Sequence, residues 1–110
     1  MLFRFRNFLR RIRLVGLSRN DVIEAIRRNG YEQTFGYYYI LKDGTRIKNM
    51  EVLPNKRDVK AACAMGQAAL NLGISPFIIA HVVDGILGEV VNLNDNIKLS
   101  LDEIADKLEV

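Results

Sequence analysis

The chain has 110 residues, of which 49% are hydrophobic and 26% charged, with a formal net charge of +3. That composition excludes a disordered tail and predicts one globular domain over 1–110, with enough apolar surface for a single core. One cysteine and one histidine exclude an internal disulfide and a Cys/His zinc site, and no apolar run reaches the roughly 18–20 residues that a membrane span requires.

Charge is unevenly distributed. Residues 1–30 carry eight arginines against Asp21 and Glu24, a net +6, whereas residues 31–110 carry eight Lys/Arg against eleven Asp/Glu, a net −3. A basic head on a mildly acidic body predicts an anionic partner for the head: an acidic protein surface, nucleic acid or a lipid surface. Within the first fifteen residues, Phe5, Phe8, Leu9, Ile12 and Val15 form an apolar stripe at helical spacing, flanked by Arg4, Arg6, Arg10, Arg11 and Arg13. The arginines interrupt any signal-peptide core. This amphipathic segment is expected to be helical and to end at Gly16, and its five arginines are the expected binding residues. The stripe suits packing on the domain, on a second subunit of a homo-oligomer, or on a membrane surface.

Ser18 and Asp21 then predict a capping box opening a short helix over about 19–29, closed by Asn29-Gly30. Tyr37 to Leu41 favour strand, and Asp43-Gly44 supplies a two-residue turn, so a β-hairpin is expected over about 36–52. The next stretch, Asp58 to Gly73, reads as one helix in which Val59, Ala62, Cys63, Gly66 and Ala69 share a small-residue face for close helix contact. Ser75 and Pro76 open a further helix, apolar nearly all round and therefore expected at the centre of the core, with Gly88 as its end. Residues 89–99 read as extended or looped. Ser100 and Glu103 predict a second capping box, opening a helix whose Leu101, Ile104, Ala105 and Leu108 face inward. The expected fold is α+β and mainly helical, with about five helices and one hairpin.

Four segments stand in order: Arg28-Asn29-Gly30-Tyr31-Glu32-Gln33, Cys63-Ala64-Met65-Gly66-Gln67-Ala68, Leu93-Asn94-Asp95, and Ser100-Leu101-Asp102-Glu103-Ile104-Ala105. Together they resemble a family of small, uncharacterised proteins of bacteria and their phages, whose pattern runs Gly-aromatic-x-Gln, Cys-Ala-x-Gly-Ala, then Asn-Asp and Ser-x-x-Glu-Ile. The resemblance covers about residues 20–109, leaves the arginine-rich head outside, and departs at Gln67, where the family usually has Ala. It implies a phage or bacterial origin and a fold, but no reaction, since the family has no established activity. Physical chemistry assigns the motif residues structural work: Cys63 as a small buried hydrophobe, Gly66 at a close contact, and Asn94-Asp95 holding a turn.

Catalytic chemistry fits the same residues less well. A cysteine hydrolase would use Cys63 as nucleophile, His81 as base and Asn94 or Asp95 as orienter, but Cys63 is expected a turn or more inside its helix, and His81, on an apolar helix, is expected to hydrogen-bond Asp84 three residues on. No metal-binding loop or phosphate-binding glycine loop is present, so no metal or cofactor is expected. Ala69, Gly73, Ile79 and Val82 have helix-turn-helix spacing, yet no Lys or Arg occurs between Lys60 and Lys98, so the phosphate contacts that dominate DNA affinity are missing there. Tyr37, Tyr38 and Tyr39 are candidates for stacking on bases. The expectation is a cytoplasmic, non-enzymatic binding or accessory protein acting through its arginine-rich N-terminus; nucleic-acid binding is the alternative, and a Cys63–His81 hydrolase the third reading.

Overall fold

The computed structural model describes residues 16–109; the expected N-terminal helix and Arg4, Arg6, Arg10, Arg11 and Arg13 lie outside the described residues. The fold is α+β and mainly helical. Helix α1 (Arg19–Arg27) opens with the predicted capping box: the Ser18 hydroxyl accepts the Asp21 N–H at 3.2 Å, and the Asp21 carboxylate accepts the Ser18 N–H at 2.8 Å. Its buried face is Val22, Ile23, Ala25 and Ile26.

The chain then builds a small sheet from β1 (Glu32–Gln33), β2 (Tyr39–Leu41), β3 (Arg46–Ile47) and β4 (Val59–Ala62), in the order β1-β4-β2-β3. The expected hairpin is β2–β3, but its loop differs. Gly44 N–H donates to Leu41 C=O at 2.9 Å and Leu41 N–H to Thr45 C=O at 2.8 Å; Gly44 has a φ of 93°, while Asp43 is not left-handed. A type I turn followed by one left-handed glycine therefore replaces the two-residue turn.

The largest correction falls on residues 59–62. They form β4, not the first turn of a helix, and pair on both sides: parallel to β1 and antiparallel to β2. A two-stranded hairpin is marginal alone, and β4 completes it while satisfying its own backbone groups along both edges. Over four residues the spacing of Val59, Ala62 and Cys63 fits either reading.

Helix α2 (Ala64–Leu72) follows at once and is the central helix, with seven of its nine residues buried. Gly66 does make a close contact, but with the sheet and not with another helix: a Cβ there would overlap the Tyr38 carbonyl oxygen and lie 3.1 Å from both Ala62 Cβ and a Tyr39 ring carbon. Gly73 ends α2 as expected, and Ser75 and Pro76 open α3 (Pro76–Val82). That helix is not the buried centre. Phe77 and Val82 are 44% and 39% exposed, and only Pro76 and Ile79 are buried. Nor does it run to Gly88. It ends at Val82 where Val83 turns extended, Gly85 at φ 77° caps the start of α4 (Ile86–Val91), and Gly88 lies inside that helix. Residues 92–96, expected as loop, continue α4 as a π-helical turn.

Helix α5 (Leu101–Glu109) opens with the second capping box and buries Leu101, Ile104, Ala105 and Leu108 as predicted. Arg27 ties α1 to α5 through Asp106 and Glu109, each at 2.8 Å, and Arg19 reaches both Glu89 and the Leu108 carbonyl. Among the described residues no single helix is long and apolar enough to cross a membrane.

Candidate functional site

The strand-to-helix turn at Ala62-Cys63-Ala64 organises the site. Cys63 is the N-cap of α2: its thiol sulfur accepts the Gly66 N–H at 3.4 Å, and its own N–H donates to Tyr38 C=O at 3.1 Å. The expectation that Cys63 lies well inside a helix is therefore corrected. The thiol is buried all the same, and burial pushes it up to about 11, with the N–H groups of Gly66 and Met65 pulling weakly the other way. A helix N-terminus favours thiolate, whereas an apolar shell disfavours it; here the shell prevails.

Asn94, on the π-helical turn, is 1% exposed and makes four hydrogen bonds. Its Oδ1 accepts from the Ala64 N–H at 3.0 Å and from Gln33 Nε2 at 2.9 Å. Its Nδ2 donates to Thr34 C=O at 3.0 Å and to Asp95 Oδ1 at 2.7 Å. The same Asp95 oxygen accepts the Gly36 N–H at 3.0 Å. Gln33 also donates to Leu99 C=O, while Gln67 Nε2 bridges the carbonyls of Tyr31 and Ala62 at 2.8 and 3.2 Å. Three segments far apart in the chain are thus joined by buried polar side chains, with Gln67 adding a second tie between residues 31 and 62.

Beside this network lies a cavity of about 210 Å³, lined by Cys63, Met65, Val90, Val91, Asn94 and Asp95 on one side and by Gly36, Tyr37, Tyr38 and Lys48 on the other. Tyr37 is half-buried, with Arg46 Cζ 5.4 Å and Lys48 Nζ 5.2 Å from its ring centroid. Tyr39, by contrast, is fully buried in the core.

The structure brings Cys63 together with Asn94 and Asp95, but not with His81. His81 is exposed on α3, stacked on Phe77 at 6.0 Å between centroids, and does not line the cavity. Among the described residues it has no hydrogen bond to Asp84, contrary to expectation; Phe77 is its neighbour instead. No group of three His, Cys, Asp or Glu converges on a metal-sized site among the described residues. Sequence reasoning did not assemble Tyr37, Tyr38 and Lys48 as one wall of a cavity. Their one signal is the aromatic run at the start of the hairpin, with cations recurring across the turn. No protein-family model matches the chain, and no curated protein or solved structure matches it.

Proposed function

We propose that the protein is a non-catalytic binding and accessory protein of phage or bacterial origin, acting in the cytoplasm, which contacts an anionic partner through Arg4, Arg6, Arg10, Arg11 and Arg13. The observation that carries this reading is the division of charge. Residues 1–15 contain five arginines and no carboxylate, whereas residues 16–110 contain eleven Lys/Arg and thirteen Asp/Glu. Within the described fold, Arg19 and Arg27 are engaged by Glu89, Asp106 and Glu109. The surplus positive charge of the molecule therefore resides in its first fifteen residues, and such a surplus raises encounter rates with anionic surfaces. The non-catalytic part is supported by a thiol held up to about 11 and by the separation in the fold of His81 from the Cys63 cavity.

The test replaces Arg6, Arg10, Arg11 and Arg13 with Gln, which removes four charges and retains good helix formers. Capture from cell lysate, with and without nuclease, should lose the bound partner in the variant. If nucleic acid is that partner, the slope of log affinity against log salt should fall by up to about 0.9 for each duplex phosphate that the variant no longer neutralises. If an acidic protein is the partner, duplex DNA should not compete with it. A folded variant that binds everything as the parent does would overturn the proposal.

A further inference from the structure

The cavity beside Cys63 offers a different kind of site from the arginine-rich segment. At about 210 Å³ it is smaller than the roughly 300–1,000 Å³ of pockets that enclose a drug-sized ligand. It therefore takes one ring or a short chain and leaves the rest of a ligand at its mouth. Met65 and Val90 lie fully buried beneath the cavity floor, and the apolar surface open to a ligand comes from the half-buried Tyr37, Tyr38 and Val91. Lys48 lines the cavity and lies against the Tyr37 ring, while Arg46 packs on the same ring from outside the lining, and neither forms an ion pair among the described residues. On the opposite wall Asp95 is oriented through Oδ1 by Gly36 and Asn94, while its Oδ2 accepts no hydrogen bond among the described residues.

We propose that this cavity binds a nucleotide, with the base against Tyr38 and Val91, a base N–H or sugar hydroxyl donating to Asp95, and the phosphate at Lys48. Three requirements select this class. The tyrosines and Val91 suit a flat ring. The Asp95 carboxylate accepts hydrogen bonds only, so it needs a donor on the ligand and repels a second anion. Lys48, without an ion pair among the described residues, selects an anion on the ligand. An inorganic anion would leave the tyrosine and Val91 surface uncovered, and a simple aromatic acid would leave Asp95 without a donor. A free mononucleotide and a nucleotide within a single strand present the same three groups. The inference does not rest on the arginine-rich segment.

The experiment is an amide chemical-shift titration of the full, isotopically labelled chain with each of the four common ribonucleoside monophosphates, with inorganic phosphate, and with a single-stranded DNA oligonucleotide. Saturable shifts at Gly36, Tyr37, Tyr38 and Asp95 are expected from at least one mononucleotide or from the oligonucleotide. A response to mononucleotides identifies free nucleotide as a ligand, and a response to the oligonucleotide alone identifies the single strand. Lys48→Ala should weaken the response about threefold to tenfold through removal of one charged hydrogen-bond donor, and Val91→Phe, which fills the cavity from a half-buried position, should abolish it. The Arg6, Arg10, Arg11 and Arg13 to Gln variant should keep the mononucleotide response, so failure of the segment's role and failure of the cavity's role are read separately. The proposal is overturned if no nucleotide probe shifts these residues saturably, if inorganic phosphate alone reproduces the shifts, or if folded Lys48→Ala and Val91→Phe proteins respond as the parent does.

Discussion

The side-chain oxygen of Asn94 accepts the backbone N–H of Ala64 at 3.0 Å, so the first turn of α2 is capped by a residue thirty positions further along the chain. Helix N-termini leave backbone N–H groups without internal partners. Cys63, the N-cap by position, has only a thiol to offer, a weak acceptor. The carboxamide supplies what the local sequence lacks and at the same time locks the π-helical turn onto Thr34 and Gln33.

Asn94→Ala should accordingly be among the most disruptive single substitutions outside the apolar core. It leaves the buried Ala64 N–H and Thr34 carbonyl without their partner, at about 1–3 kcal/mol for each group. A loss of at least about 2 kcal/mol in a denaturant titration is expected. Asn94→Asp keeps the acceptor but loses the donor and sets a second carboxylate beside Asp95. That variant should be destabilised near neutral pH and recover in acid, as the introduced carboxylate takes up a proton.

Gly66 tests the contact between α2 and the sheet. Alanine would gain up to about 1 kcal/mol of helix propensity, but its Cβ would overlap the Tyr38 carbonyl oxygen, a backbone atom in a paired segment. Steric strain should exceed the gain, and Gly66→Ala should lose about 1–3 kcal/mol; Gly66→Leu should lose more. An unchanged denaturation midpoint for Gly66→Ala would show that helix and sheet separate freely.

The Cys63 thiol predicts both reactivity and alkaline stability. Burial raises it to about 11 from an ordinary 9.0, so alkylation of the native protein at pH 8 should be at least about a hundredfold slower than that of the denatured chain. Raised in the folded state, the thiol contributes its full stabilisation below pH 9, where both states are protonated. Between pH 9 and 11 the unfolded chain ionises first and the contribution is lost as pH rises. Relative to Cys63→Ser, the parent should lose about 2 kcal/mol across that interval. At neutral pH, Cys63→Ala should cost about 1–2 kcal/mol and leave partner binding intact.

Tyr39 carries a hydroxyl that is buried with no hydrogen-bond partner among the described residues. Such a group is costly to hold away from water, and the ring supplies the packing. Tyr39→Phe should therefore match or exceed the parent in stability, by up to about 1 kcal/mol, whereas Tyr39→Ala should lose about 3–5 kcal/mol. Thermal denaturation of the two variants separates the contribution of the ring from that of the hydroxyl.

The sequence by itself determined the features whose physics is local. Ser18 with Asp21 and Ser100 with Glu103 announce capping boxes because each pair closes its hydrogen bonds within four residues. Gly73, Ser75 and Pro76 punctuate two helices for equally local reasons. The inward faces of α1 and α5 follow from periodicity alone. Tertiary structure decided whatever depended on a distant partner. Val59 to Ala62 became strand because β1 and β2 offered two edges to pair with, a gain that no four-residue window contains. That pairing moved Cys63 from a helix interior to a helix start and turned the small face of α2 toward the sheet. The apolar run after Pro76 reads as one buried helix by composition, yet an extended Val83 and a left-handed Gly85 divide it, and Phe77 and Val82 lie on the surface. The cavity is the furthest from local control, for its walls come from the hairpin, the turn at Cys63 and the π-helical turn, and they meet only because Asn94 and Asp95 reach back across the chain to Ala64, Thr34 and Gly36.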